Sequence, residues 1–222
     1  MDSSKVVLKI RENILEGFRV FIGGTILRGD EGDLYNAALV ISKKQIQYHN
    51  KTALVPFVES NPMGMKLDFN DFGFGRSYFG SLVSTITMPG VTIAICFEAL
   101  FGERIAYKSN ENPGLIFILS NEEWTKGGSN QFAKIARMRA IENRKYVIRA
   151  TNCGVTSIIS PDGKFTSKVV SNIGVNAIVD KVFQNNVKTF YMKNGDYIGR
   201  ISLTTLTLIC AIIFIKTSRF YF

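Results

Sequence analysis

Cys96 and Glu98 stand at the end of the most strand-like run in the chain, Val91-Thr92-Ile93-Ala94-Ile95. A β-branched stretch of this kind forms a buried strand, which places Cys96 at its C-terminal end or on the turn just after it. Strand ends in α/β proteins are rigid and open onto a crevice, so they suit a reactive side chain. A thiol there is a nucleophile once its proton is removed or its thiolate is stabilised. The backbone N–H of Phe97 then falls where an oxyanion-hole donor is needed, beside the attacking atom. Lys51, just ahead of an apolar run ending in Glu59, is the candidate for a fixed positive charge at the developing oxyanion. Two plainer readings compete with these: a buried cysteine that only fills space, and a lysine that is only a solvated surface charge.

Composition narrows the chemistry. His49 is the lone histidine, so no Ser-His-Asp triad can be built convincingly, and a nucleophilic Cys96 needs a carboxylate as its base. Cys96, Cys153 and Cys210 are widely spaced and odd in number, with no zinc-type pairing, so neither a disulfide framework nor a metal or cofactor is expected. Cys210 lies in an apolar run, and Cys153 stands in what reads as a turn, Asn152-Cys153-Gly154; neither is expected to react. With 222 residues, 46% of them hydrophobic, the chain can bury one sizeable α/β core. A formal charge of +9 asks for an anionic neighbour, either nucleic acid or a membrane surface. The basic residues are scattered and lack the interleaved aromatics of a nucleic-acid module, so nucleic acid is not an expected partner. Met1 opens onto Asp2-Ser3-Ser4 without the apolar core of a secretory signal.

The elements that must position these residues alternate strands, helices and hairpins. Ser4 to Glu16 has the spacing of a helix packed on one face. Arg19 to Leu27 is a strand with an irregularity at Gly23-Gly24. Leu34 to Ser42 and Ile46 to Asn50 follow it as antiparallel strands. Pro56 demotes 51–59 to an edge strand or ordered loop. The stretch 61–76, rich in Gly, Phe, Asp and Asn, is a long surface loop. Its Phe-rich part, Phe69 to Phe79, is either a lid that meets lipid or a plain structural loop. A short strand over Ser84 to Pro89 leads into the Cys96 strand. Beyond it come a helix over Gly102 to Asn112, a buried strand over Leu115 to Leu119 and a helix over Asn130 to Glu142. Strands follow over Tyr146 to Ala150, Gly154 to Ser160 and Lys168 to Asn172. Asn121 and Trp124, at the end of the 115–119 strand, either cap and plug it or face a substrate pocket. Arg137, Arg139 and Glu142 read as a structural salt-bridge set. This mixture indicates an α+β or mixed-sheet sandwich rather than a doubly wound sheet.

Composition then shifts. Ile201 to Ile215 is fifteen residues without a charge, flanked by Arg200, Lys216 and Arg219. With Tyr197 to Gly199 added it approaches the ~20 residues that a bilayer requires, and Phe220-Tyr221-Phe222 resembles an interfacial anchor. The competing reading is an amphipathic or buried core helix. As a span, it keeps Lys216 and Arg219 cytoplasmic and the preceding domain on the opposite side.

Lys51 through Glu59, Ile95-Cys96-Phe97-Glu98 and Ser120-Asn121-Glu122-Glu123-Trp124 together resemble the nitrilase, or carbon–nitrogen hydrolase, superfamily. More narrowly, 131–164, which runs through Arg149-Ala150-Thr151-Asn152-Cys153-Gly154 to Ser160-Pro161-Asp162-Gly163-Lys164, resembles its apolipoprotein N-acyltransferase branch. So does Asn194-Gly195-Asp196 followed directly by an apolar helix. The resemblance implies an α-β-β-α sandwich over 1–195 and a transmembrane anchor over 196–222, in an inner membrane with the catalytic domain facing the periplasm. It implies that Cys96 takes a fatty acyl group from a glycerophospholipid as a thioester and passes it to the N-terminal amine of a diacylglyceryl lipoprotein. Lys51 is then the stabiliser of the tetrahedral intermediates, and Glu59 and Glu98 are carboxylates that orient the lysine and support the site. Asn121 and Trp124 belong to the substrate side, and Phe97 replaces an aromatic that is commonly tyrosine. The family's base glutamate is expected upstream of Met1, as are its membrane helices, so the chain reads as an N-terminally truncated member that is severely impaired in acylation. Two alternatives stay open: a soluble nitrilase-type amidase acting on a small amide, and a non-catalytic remnant that binds lipid or a partner.

Overall fold

The computed structural model describes residues 8–12, 20–28, 34–60, 89–125, 127–170 and 175–218. Two sheets form its centre. β1 (Val20–Arg28), β2 (Leu34–Ser42) and β3 (Ile46–Asn50) make a three-stranded antiparallel sheet in the order β1-β2-β3. The second sheet runs β4 (Val91–Ile95), β5 (Leu115–Asn121), β6 (Val147–Asn152), β7 (Val155–Ile159) and β8 (Phe165–Val170) in sequential order. Within it β4, β5 and β6 are parallel, whereas β7 and β8 return as antiparallel hairpins. α1 (Gly102–Glu111) and α2 (Ser129–Asn143) are the crossovers that parallel neighbours require. A short α3 (Phe190–Asn194) precedes the long α4 (Tyr197–Ser218).

The period-2 alternation of strand side chains sorts the core into layers. Val91, Ile93 and Ile95 of β4 pack with Leu119 of β5 against Ala38 and Val40 of β2, filling the space between the sheets. The opposite parity, Ala94, Ile116, Ile118 and Val147, packs against Ile105 of α1 and Ala136 and Ala140 of α2. Leu39 and Ile41, on the outer face of β2, meet Ile10 and Phe21, and residues 8–12 are helical. The layers are therefore helix, sheet, sheet, helix: the α-β-β-α sandwich expected. Alanines on the inner face of α2 let it lie close to the sheet, where full burial of each Ile or Val contributes roughly 1.5–3 kcal/mol.

Several expectations are refined. The β1–β2 ladder runs in unbroken register through Gly23↔Leu39 and Gly24↔Ala38, so there is no bulge at the glycines. A Cβ at Gly23 would fall 2.6 Å from the end of the Phe21 ring, so a side chain there would have to displace that ring. The last strand begins at Phe165, earlier than the sequence pattern indicates, because the Pro161-Asp162-Gly163 turn is tight and Gly163 takes a φ of 82°; positions 171 and 172 of the expected strand lie outside the described residues. Residues 51–60 form an ordered loop with one bridge, Pro56↔Ser60. Of the Ser4–Glu16 helix, residues 8–12 are described; the 61–76 loop, the 69–79 aromatic stretch and all of the 84–89 strand but Pro89 lie outside the described residues.

Candidate active site

β4 delivers Cys96 to the edge of the sandwich, and the chain turns there into a one-turn 3-10 helix, Cys96–Leu100. Cys96 itself has a φ of 49°. A non-glycine residue in the left-handed region costs of the order of 1–3 kcal/mol, and such strain persists only where the surroundings hold it. Glu98 does the holding. Its Oε2 accepts from the Ile95 N–H at 2.8 Å, and its Oε1 accepts from the N–H and Oγ1 of Thr52 at 2.9 and 2.7 Å. One buried carboxylate thus ties the Cys96 turn of the five-stranded sheet to the loop leaving β3 of the other. His49 Nε2 stands 3.7 Å from the same Oε2. Burial alone would push the Glu98 carboxyl up. The hydrogen bonds from His49 and Thr52 and the charge of Lys108 outweigh it and hold the group well below the ordinary carboxylate range.

Lys51 is not a solvated charge. It is 1% exposed, and its Nζ meets Glu59 Oε2 at 2.6 Å. Glu59 is itself fixed, accepting from Asn36 Nδ2 at 2.9 Å and from the Val55 N–H at 2.8 Å. The Lys51 N–H donates to the Asn36 carbonyl at 2.7 Å, so the lysine backbone is pinned by the residue that pins its partner. A buried ammonium stays charged only with such a partner, because breaking a buried pair leaves an uncompensated ion.

Lys51, Glu59 and Cys96 line one cavity of about 1060 Å³. Its apolar wall comes from Ile22 and Ile26 of β1, Val55 and Val58 of the loop, Leu119 of β5 and Val175. Asn121 lines it too, and its Oδ1 accepts from the Glu123 N–H at 3.2 Å and Asn152 Nδ2 at 3.4 Å. Asn121 therefore caps the strand end and faces the cavity at once. Trp124 lies in the 3-10 turn Glu123–Thr125, with its side chain outside what is described. The Phe97 ring packs edge-on against Phe101 at 5.3 Å. Cys153, in the hairpin turn between β6 and β7, also lines the cavity, with a φ of 53°. Among the described lining residues the one carboxylate is Glu59, and it is committed to Lys51.

Sequence reasoning missed the ion pair beneath the site. Arg149 is 1% exposed and bonds Glu122 Oε1 and the Val155 carbonyl. Burial pushes its guanidinium down to about 10. The available signal was a charge on the same strand face as Val147, which buries in the core. Arg139 and Glu142 do pair, at 3.2 Å, but Arg137 leaves that set: its Nε donates to the Gly163 carbonyl at 2.7 Å and it lies over the Phe165 ring.

Residues 16–175 match the protein family described as "Carbon-nitrogen hydrolase". The chain is 33% identical to the apolipoprotein N-acyltransferase of Wigglesworthia glossinidia brevipalpis, over 75% of this chain and 34% of that protein. It is 28% identical to that of Rickettsia prowazekii, over 94% of this chain and 44% of that protein. The chain spans between 29% and 44% of the length of these and other curated relatives. Among solved structures, it is similar to the C. elegans NitFhit protein, with a TM-score of 0.57 at 19% identity, covering 73% of this chain and 42% of that one. A carbon-nitrogen hydrolase from Helicobacter pylori G27 gives a TM-score of 0.54 at 16% identity, covering 75% and 63%.

Proposed function

The chain belongs to the carbon–nitrogen hydrolase family, and on that premise we propose that it carries the acyl-transfer site of a lipoprotein N-acyltransferase. Cys96 attacks the ester carbonyl of a glycerophospholipid, the C–O bond breaks, and the lysolipid leaves with the proton of the thiol. The amine of a diacylglyceryl-cysteine lipoprotein then attacks the thioester, and the C–S bond breaks as the amide forms. Lys51 supplies the fixed charge facing each tetrahedral oxyanion, with Glu59 orienting it and the Phe97 N–H beside it. Glu98 holds the nucleophile turn, and Asn121 and Trp124 contribute to the substrate side. Glu59 is engaged by Lys51, and the described residues that line the cavity offer no second carboxylate to take the thiol proton.

The observation that carries this reading is the shared cavity. It brings a strained cysteine and a buried, paired lysine onto one apolar-walled space. The relatives' names support the acyltransferase branch over a small-amide hydrolase, and so does α4. That helix holds a 21-residue stretch, Tyr197–Thr217, of mean hydropathy 2.1 with none of it buried. It anchors the domain in the inner membrane, the domain facing the periplasm. The test is to place the full chain in phosphatidylethanolamine and phosphatidylglycerol vesicles and to weigh the Cys96 peptide by mass spectrometry. A hydroxylamine-labile acyl adduct, absent from Cys96→Ala, is expected. A folded chain that binds the vesicles and never acylates would replace this reading with a lipid-binding, non-catalytic one.

A further inference from the structure

α4 is not tethered loosely to the domain. Its first turn is gripped by Glu103, in the first turn of α1, whose Oε1 accepts from the Asp196 N–H and from Arg200 Nη2, each at 2.7 Å. The approach depends on Gly195, which has a φ of 63° and where a Cβ would fall 2.4 Å from Glu103 Oε1. Asp196 caps the helix in turn, accepting from the Gly199 N–H at 2.9 Å. From the other side the Phe190 ring of α3 packs edge-on against Tyr197 at 4.8 Å, and α3 is seated by buried Met192 and by Thr189, whose Oγ1 donates to the Glu142 carbonyl at 2.6 Å. This is a two-point brace, carboxylate on one side and aromatic on the other.

The surface around the brace is unusual for a face turned to water. Leu100, Phe101, Tyr107, Phe190, Tyr197 and Ile198 are all exposed there, with Tyr107 at 62% and Phe190 at 63%. Tyr107 lies one helical turn beyond Glu103 on the same face of α1, so it points to the side from which α4 departs. Arg104 lies over the Phe101 ring at 5.2 Å, and Lys193 is exposed on α3. The two carboxylates nearest the helix foot, Glu103 and Asp196, are engaged in the brace and the cap. Exposed Glu111 bonds the Tyr107 hydroxyl one further turn along α1; nearer the helix foot, what remains outward is aromatic and basic, the chemistry of a headgroup layer that contains anionic lipid.

We propose that this corner of α1 and α3 around the foot of α4 is a bilayer-contacting surface, and that the Glu103 brace holds the domain down on the phospholipid headgroups. The inference rests on reading α4 as a membrane span. Occupancy by lipid follows from continuity: a surface touching the first turn of a bilayer-crossing helix is itself at headgroup depth. It also bears on the site, because Glu103 is only seven residues from Cys96 and opens the helix that follows the nucleophile turn. The brace therefore fixes the cysteine's edge of the sandwich near the membrane.

The test uses the full chain, with Trp124→Phe to remove the native fluorophore and one tryptophan introduced at a time as Phe101→Trp, Phe190→Trp or, as a control at the far end of the sheet, Phe165→Trp. Vesicles of phosphatidylcholine and phosphatidylglycerol carry brominated acyl chains as the quencher, and alkaline carbonate extraction reports the span separately. Expected are a carbonate-resistant chain, quenching of about twofold at positions 101 and 190, where side chains enter the headgroup–acyl boundary, and none at 165. Glu103→Arg, which sets two cations against each other, should abolish quenching at 101 while the chain stays carbonate-resistant. The swap Glu103→Arg with Arg200→Glu should restore it. A resistant chain with no quenching at 101 or 190 overturns the docking surface alone. Carbonate extraction overturns the span and this inference with it.

Discussion

Cys96 and Cys153 make an instructive pair. Both line the same cavity, and both have a left-handed backbone, at φ of 49° and 53°. Neither strain nor access to the cavity distinguishes them. Their surroundings do. Cys96 is buried at the end of a buried parallel strand, under a turn that Glu98 ties to the opposite sheet. Cys153 is half-buried in a hairpin turn, its Sγ 3.6 Å from Asn152 Oδ1 of the preceding residue. The buried Lys51–Glu59 pair lines the cavity that both cysteines share, and the buried Arg149–Glu122 pair reaches the Cys153 hairpin, where Arg149 bonds the Val155 carbonyl. The Cys153 hairpin has long-range contacts of its own: the Val155 N–H donates to Ser129 Oγ at 2.8 Å and the Asn152 carbonyl accepts from the Glu122 N–H at 3.0 Å. A positive φ therefore does not by itself mark a reactive site; burial and the Glu98 tie to the opposite sheet separate the two cysteines.

The sharpest way to break this comparison is to exchange the roles. Cys96→Ala should eliminate the acyl adduct in phospholipid vesicles, whereas Cys153→Ser should keep it within about twofold, as expected of a substitution outside the reacting set. Loss in the second variant would make the hairpin cysteine the acyl carrier. Next in size is the lysine. Lys51→Met should slow adduct formation about 10²–10³-fold, the usual effect of removing one oxyanion stabiliser, with far-ultraviolet circular dichroism unchanged.

Glu98 separates the two corners through stability. Glu98→Gln should lose about 1–3 kcal/mol at pH 7 in urea unfolding, since buried donors lose an ionised acceptor. The sign of its pH dependence follows from a folded carboxyl held below its ordinary value of 4.5. The stabilisation is fully present above that value and is lost as pH falls through and below it, because the unfolded state binds the proton first. The wild-type advantage over Glu98→Gln should therefore shrink between pH 5 and pH 3, and a constant gap would contradict the structure. The smallest expected effect is at the other cysteine. Cys153→Gly should stabilise by about 0.5 kcal/mol in thermal unfolding, relief of the left-handed strain exceeding the added chain entropy.

Much of the frame was legible before any fold was known. The β-branched run before Cys96 and the unbroken apolar run 115–119 marked their strands because a strand covered on both faces is apolar at every position. The charge-free run after Arg200 marked α4 for the same kind of local reason. At the glycines the reading went astray: Gly23-Gly24 looked like a bulge, yet its ladder is regular; a Cβ at Gly23 would meet the Phe21 ring, and one at Gly24 would meet open space. The buried Arg149–Glu122 pair was missed because its members lie 27 positions apart and each resembles an ordinary surface charge in its own neighbourhood.

The order of elements, the place of Cys96 at a strand end and the apolar helix after Arg200 were thus determined by the sequence itself, through local patterns that any short window contains. Which carboxylate serves which cation was decided only by the tertiary structure. Lys51 needs Glu59 from its own loop and Asn36 from a paired strand, and Glu98 needs Thr52 from the opposite sheet. These partners meet only after two sheets have stacked, because the free energy of a buried charge depends on neighbours that sheet register and layer packing bring from far along the chain.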